Sequence, residues 1–205
     1  MAYIHKKLLQ GLLLACVIAV ICFAAFFYFR NPYGIYTYNQ IRHEKPLLEL
    51  FAADKYWLTA NPDYSPEYML KYKAHTTNLS SVGRLKIDVL EEANKFVGFV
   101  AYHLKDNEPH VGKVLFLAVG KEFRGKKYGE KLLQHAISEL YKMGAKTIGL
   151  ATRVENYSAQ NLYWRAGFVQ TSSDGVFLQF EYIPGSTCSE STLSPTSCRM
   201  RSAYS

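Results

Sequence analysis

Only four cysteines occur in the chain, and none lies between Tyr33 and Pro184. Cys16 and Cys22 sit in an apolar run near the start, and Cys188 and Cys198 in a Ser/Thr-rich end. The central region therefore depends on no disulfide framework, although a Cys188–Cys198 bridge stays open in an oxidising compartment. No Cys/His group has metal-ligand spacing, which sets aside structural zinc, a catalytic cysteine and any other metal dependence. Charge is the second thing missing, since no charged residue occurs from Leu8 to Phe29. Acid is also in the minority, with 24 Lys+Arg against 17 Asp+Glu and a net charge of +7. The basic residues are scattered except around Lys121 to Lys131, so no nucleic-acid partner is expected; a diffuse excess is usually a solvated surface. No internal repeat is visible.

The uncharged run has the length of a membrane span, because a bilayer core needs about 20 apolar residues in a helix. Lys6 and Lys7 precede it, Arg30 ends it, and Tyr28 and Arg30 suit the headgroup boundary. A cleaved signal peptide usually has a shorter apolar region ending in a small-x-small site, whereas here Ala24-Ala25 is followed by Phe26, Phe27 and Tyr28. An uncleaved anchor over residues 1–32 is the expectation, touching membrane lipid through residues 8–29. Flanking charge does not orient it, since Lys6 and Lys7 are balanced by Arg30, Arg42 and Lys45. Residues 185–205, rich in Ser and Thr without apolar periodicity, read as a disordered tail. One globular domain over residues 33–184 remains.

Within that domain Ile35–Ile41 alternates like a first strand and Pro46–Lys55 reads as a short helix. Asn61-Pro62 and Ser65-Pro66 mark turns, and Pro66 to Tyr72 reads as a second short helix. Strands follow at Arg84–Leu90 and Phe96–Leu104, joined by a hairpin turn at Glu91–Lys95. After the turn Asp106-Asn107-Glu108-Pro109 comes Val114–Val119, apolar enough to be buried on both faces in mid-sheet. The period then changes from 2 to 3.6. Glu130–Lys142 places Leu132, Leu133, Ala136, Ile137 and Leu140 on one stripe, stopped by Gly144. Lys146–Thr152 is a strand in which Gly149 marks a bulge or a close approach. Asn156 caps a helix to about Arg165, closed by Gly167, and a hairpin around Ser173-Asp174-Gly175 ends the sheet. The order predicts an α/β domain with a mixed sheet.

Chemistry concentrates in two segments. Leu117-Ala118-Val119 ends a strand, and a basic turn from Gly120 to Gly129 leads into a helix. The first turn of a helix leaves about four backbone N–H groups without partners and carries partial positive charge. A diphosphate accepts those bonds, while Arg124, Lys126 and Lys127 add charge and the glycines permit close approach. The second segment, Asn156 to Phe168, follows the next strand. Arg124-Gly125-Lys126-Lys127-Tyr128-Gly129 fits Arg/Gln-x-x-Gly-x-Gly/Ala except at Lys127, and Asn156 to Phe168 fits Asn-x-x-Ala-x-x-Leu-Tyr-x-x-x-Gly-Phe throughout. In this order and spacing the pair resembles the GNAT family of N-acetyltransferases.

The resemblance implies a single GNAT-like domain with a mixed, mostly antiparallel central sheet flanked by helices. It also implies transfer of an acetyl group from acetyl-CoA to a primary amine. Carried over, it gives the main chain of Leu117, Ala118 and Val119 to the pantetheine arm and the backbone of Arg124, Gly125, Lys126, Lys127, Tyr128 and Gly129 to the diphosphate. Asn156 would face the pantetheine, and Tyr163 would act as general acid on the leaving sulfur. Relatives often place a glutamate base on the strand before the turn, but Val114–Val119 has no acidic residue. Asp88, Glu91, His103, His110 and Glu155 are the candidates for that role. Trp57–His75 is a candidate acceptor wall. Because acyl-CoA is a cytosolic metabolite, the domain is expected to face the cytoplasm. A non-catalytic acyl-CoA-binding or membrane interaction module is the competing reading.

Overall fold

The computed structural model describes residues 17, 19, 20, 33–67, 69, 70 and 85–182. The chain divides into two compact units, Met1–Gly34 and Ile35–Ser205. In the first, residues 17, 19 and 20 are helical and Tyr33 opens a strand. Otherwise the apolar run 8–29 lies outside the described residues, as do all four cysteines and the tail 185–205. Among the described residues no helix is long and apolar enough to cross a membrane.

The second unit is an α/β domain built on a seven-stranded sheet in the order β1-β2-β3-β4-β5-β7-β6. The strands are β1 (Tyr33–Thr37), β2 (Lys86–Glu92), β3 (Lys95–Leu104), β4 (Val111–Val119), β5 (Thr147–Arg153), β6 (Phe168–Ser173) and β7 (Phe177–Tyr182). Three helices flank them: α1 (Gln40–Leu58), α2 (Tyr128–Lys142) and α3 (Tyr157–Arg165). The pair β4–β5 is parallel, whereas β2–β3, β3–β4, β5–β7 and β6–β7 are antiparallel, so the sheet is mixed and mostly antiparallel. The β2–β3 turn has Ala93 and Asn94 both at positive φ, the twist that suits a two-residue hairpin.

Core packing follows the expected periods. His43, Leu47 and Phe51 recur at helical spacing on α1 and are buried. Leu47 and Phe51 pack with Ile87, Val89, Phe99, Ala101, Phe116 and Ala118 on one face of the sheet. On α2 the buried stripe is the expected one, Leu132, Leu133, Ala136, Ile137 and Leu140, joined by Tyr128. Gly144 and Gly167 take the left-handed conformation after α2 and α3, at φ 100° and 93°.

Expectations are corrected at the first strand, the start of α1 and β4, while the short helix from Pro66 holds where it is described. The first strand ends at Thr37, and α1 starts six residues before Pro46, at Gln40. Asn39 caps it by accepting from the Arg42 N–H, and both Arg42 and His43 are anchored on Glu91, at 2.7 and 3.0 Å. Those anchors hold the first turns helical although Pro46 cannot donate a backbone bond. The short helix expected from Pro66 is helical at 66, 67, 69 and 70, and its remaining residues lie outside those described. Lastly, β4 is central but is not buried on both faces. It begins at Val111, Leu115 is 39% exposed, and Lys113, Leu117 and Val119 are half-buried.

Candidate active site

The exposure of β4 comes from the way the two parallel strands part. Their ladder runs from Val111–Thr147 through Gly112–Ile148 to Lys113–Gly149 and goes no further. Beyond it β4 continues to Val119 against β3, while β5 continues to Arg153 against β7. Among the described residues, the edge of Val114–Val119 that turns toward β5 therefore has no partner strand. A register shift in β4 adds to the break, since Phe116 faces Ala101 and Val114 faces Tyr102, leaving Leu115 over as a bulge. An unpaired stretch of mid-sheet backbone is an obligatory hydrogen-bonding surface in search of an occupant.

At the open end of β4 lies the basic turn. A short 3₁₀ turn, Lys121–Phe123, is followed by Gly125 at φ +82° and Lys127 at φ 61°, ψ 17°. Lys127 is the N-cap of α2, and no side chain caps that helix. With no side chain capping it, the first turn of α2 and its dipole favour an anion. A Cβ placed at Gly129 would meet Leu162 Cδ2 at 3.4 Å and Val119 Cγ2 at 3.9 Å, ordinary contacts that the fold itself tolerates. The same contacts show that α3, the end of β4 and the start of α2 converge.

Side-chain charge contributes less than the sequence implies. Arg124 pairs with Asp54 of α1 at 2.5 Å, and its Nε donates to the Val119 carbonyl at 3.0 Å. Lys126 leans on Glu92 at 3.4 Å, and the Tyr128 hydroxyl donates to the same carboxylate. The bond from Tyr128 is the main reason the Glu92 pKa falls below the usual carboxylate range. Among the described residues Lys127 makes no ion pair. Backbone, more than ammonium, is what this turn offers a phosphate.

Asn156 accepts from the Ala159 N–H at 3.2 Å and so caps α3 as expected. About two turns on, Tyr163 is 7% exposed, with its ring against Phe168 and Phe180 at 6.0 and 5.6 Å. Burial raises its pKa to about 12. Among the described residues its hydroxyl has no hydrogen-bond partner, an uncommon state for a buried polar group.

On the face that carries α1, the sheet opens into a cleft of about 770 Å³. Trp57, Leu58, Thr59, Ala60 and Tyr64 wall it from one side, so the part of Trp57–His75 that is described does line a cavity. His103, Lys113 and Phe116 form its floor, with Ala151, Phe177 and Gln179 opposite. Arg153 ties the two walls together. Its Nε donates to the Tyr56 carbonyl at 2.5 Å, and its guanidinium lies between the rings of Tyr56 and Phe177 at 4.1 and 5.2 Å.

The acid/base candidates separate by location. Asp88 is buried on β2, where it takes bonds from Tyr102 at 2.6 Å and His135 at 2.7 Å. Burial alone would raise its pKa, but these bonds outweigh it and hold the carboxyl below its usual range. Glu91 is consumed by Arg42 and His43. His110 is exposed in the turn before β4, and exposed Glu155 receives the Tyr56 hydroxyl at 3.4 Å. Of the five, His103 is the one in the cleft. Lys113 was missed in sequence because the strand was expected to start after it. It is half-buried with its pKa lowered by burial, and its side chain crosses the bare face of Gly149.

Comparisons agree with this geometry. A curated relative, N-alpha-acetyltransferase 30 of Schizosaccharomyces pombe, is 39% identical over 57 residues, which is 28% of this chain and 38% of the relative. The match thus spans well under two thirds of that protein. A GCN5-related N-acetyltransferase from Kribbella flavida has a similar structure, with a TM-score of 0.60 at 17% identity over 73% of this chain and 96% of that one. Ard1 from Thermoplasma volcanium gives 0.58 at 19% identity, covering 74% and 97%. The yncA protein of Salmonella typhimurium, solved with acetyl-CoA, gives 0.57 at 17%, covering 74% and 91%. At those identities the structures establish the fold alone. The family model for the acetyltransferase (GNAT) family matches residues 45–168, which include the cleft floor, the basic turn and Tyr163, and the chain therefore belongs to that family.

Proposed function

We propose that the chain is an N-acetyltransferase that moves the acetyl group of acetyl-CoA directly to a primary amine. The observation that carries this reading is the unpaired edge of Val114–Val119 beside the uncapped start of α2. The edge supplies amide groups to a pantetheine arm through Leu117 and the Val119 N–H, since Arg124 already takes the Val119 carbonyl and Ala118 between them pairs with Phe99 of β3. The turn Arg124–Gly129 supplies N–H groups to a diphosphate. Asn156 spends its carboxamide oxygen on α3, so only its amide nitrogen is left to offer the arm.

Tyr163 supplies the leaving group with a hydrogen bond. A hydroxyl of pKa about 12 stays protonated at neutral pH, as a donor must. Complete transfer to a thiolate of pKa about 8.5 would be uphill by roughly 5 kcal/mol. The buried hydroxyl is therefore better suited to stabilising negative charge as it develops on sulfur than to surrendering its proton. The acceptor enters from the opposite cleft between Trp57–Tyr64 and Phe177–Gln179. Similarity to an N-alpha-acetyltransferase favours a peptide α-amine, whose pKa near 8 leaves about a tenth of it free at pH 7. An alkylamine of pKa about 10.4 would be free in only about one molecule in 2,500.

The run 8–29 anchors the domain to a membrane in this reading, with the catalytic side toward the cytosolic acetyl-CoA pool. A reporter fused after Pro184 should then read as cytoplasmic; an external signal removes the orientation and weakens the enzyme reading. The activity is tested by following CoA thiol release from acetyl-CoA with the purified chain and a panel of peptides and alkylamines. Release that depends on both partners is the expected result. Cofactor binding without turnover across the panel would instead describe a non-catalytic acyl-CoA module.

A further inference from the structure

The geometry points to His103 as the general base that takes the proton from the acceptor amine, an inference that rests on the acetyl-transfer reading. His103 is 3% exposed and lines the acceptor cleft. Its Nδ1 lies 3.0 Å from the Leu104 carbonyl. A carbonyl only accepts, so Nδ1 carries the hydrogen and Nε2 of the neutral ring presents its lone pair. Among the described residues Nε2 has no partner. A buried imidazole with one nitrogen tied down and the other bare is fixed in the tautomer a base requires.

Its surroundings keep that ring neutral and hurry the proton onward. Burial is the largest influence lowering its pKa, with Lys113 and Lys105 adding to it and the Leu104 carbonyl and Asp106 opposing. Lys113 is its cross-strand partner on β4, while Lys105 is already paired with Glu108 at 2.7 Å. Tyr64 and Asp174 are the remaining titratable groups on the cleft walls. As the amine nitrogen bonds to the acetyl carbon, the carbon–sulfur bond breaks and its electron pair goes to sulfur. Before that attack one proton of the bound ammonium passes to Nε2, directly or across one water, and frees the lone pair; the further proton, acidic once nitrogen bonds to carbon, leaves with the sulfur as the CoA thiol. The resulting imidazolium stands beside the Lys113 ammonium, and repulsion favours its loss to solvent.

The test compares two acceptors in the full chain: a peptide with a free α-amine and an arylamine that is already unprotonated at pH 7. CoA thiol release is measured from pH 5.5 to 9, and acetyl-CoA affinity is read by calorimetry. His103→Gln should slow the peptide reaction about tenfold at pH 7, because only about a tenth of an α-amine of pKa near 8 is free there without the base. The same variant should slow the arylamine reaction less than about threefold, and the peptide deficit should shrink as pH rises. The wild-type kcat/KM should fall on the acid side as His103 protonates, below its ordinary pKa of 6.5, and His103→Asn and His103→Gln should both lack that limb. Unchanged acetyl-CoA affinity in both variants shows that the fold is intact. Equal loss with both acceptors, or no loss, overturns the assignment. A wild-type chain that binds no acetyl-CoA overturns the acetyl-transfer reading itself, an outcome the calorimetry separates from the first.

Discussion

Helix α2 follows β4 and helix α3 follows β5, and the two begin in opposite ways. At α3 the protein satisfies its own first turn, because Asn156 supplies an oxygen to the Ala159 N–H. At α2 it does not; the N-cap is Lys127, held left-handed, with no side-chain bond to the turn. The conformation costs about 1–2 kcal/mol for a residue with a Cβ. One helix start is closed for stability and the other is left open, with strain, where a ligand can close it. The difference marks the start of α2 as the candidate ligand end more surely than its lysines do, since Arg124 and Lys126 are already paired with Asp54 and Glu92.

Substitutions can break this contrast or sharpen it. The largest effect is expected at Tyr163, about two turns into the closed helix. Tyr163→Phe should lower kcat by about 100-fold, close to the cost of removing one preorganised donor. Acetyl-CoA affinity should hold within about twofold; an unchanged kcat would take Tyr163 out of the chemistry. Next comes Gly129 in the open helix. Gly129→Ala should weaken acetyl-CoA binding by about tenfold, or roughly 1.4 kcal/mol. Its melting temperature should hold or rise, because alanine is the better helix residue by up to about 1 kcal/mol. A fall in melting temperature with intact binding would mean the glycine serves packing instead. Asn156→Ala should cost about 1 kcal/mol in urea unfolding, as the loss of a side-chain cap usually does. The smallest change is Lys127→Gly, where relief of about 1–2 kcal/mol of backbone strain is offset by about 0.5–1 kcal/mol of added unfolded-state entropy. A net gain of about 0.5 kcal/mol, with acetyl-CoA affinity equal or better, is expected. A loss of affinity would show that the Lys127 ammonium contributes to binding.

The contrast was partly legible in the sequence. Asn156 before an apolar helical stripe declares a cap, and Gly125 and Gly129 after an apolar strand declare a turn that approaches something closely. Gly144 and Gly167 mark both helix ends for the same local reason, a left-handed residue that only glycine takes cheaply. Features made by distant partners were not legible. Pro46 hid the true start of α1, since nothing nearby reveals that Glu91 anchors Arg42 and His43. Gly112 and Lys113 hid the start of β4, although the ladder that holds them is regular. The parting of β4 from β5 leaves no trace in periodicity, because both strands keep their other neighbours. His103 stood among five candidates until the cleft separated it from Asp88 and Glu91, whose lone pairs are already taken.

The central claim is that the open start of α2 and the unpaired edge of β4 together hold acetyl-CoA. It is tested most directly by calorimetric titration of acetyl-CoA into the full chain, with unfolding followed at the same ligand concentrations. The account predicts one molecule bound per chain and a stabilisation of about 2.7 kcal/mol at a hundredfold excess over Kd. No binding heat and no shift in unfolding would contradict it.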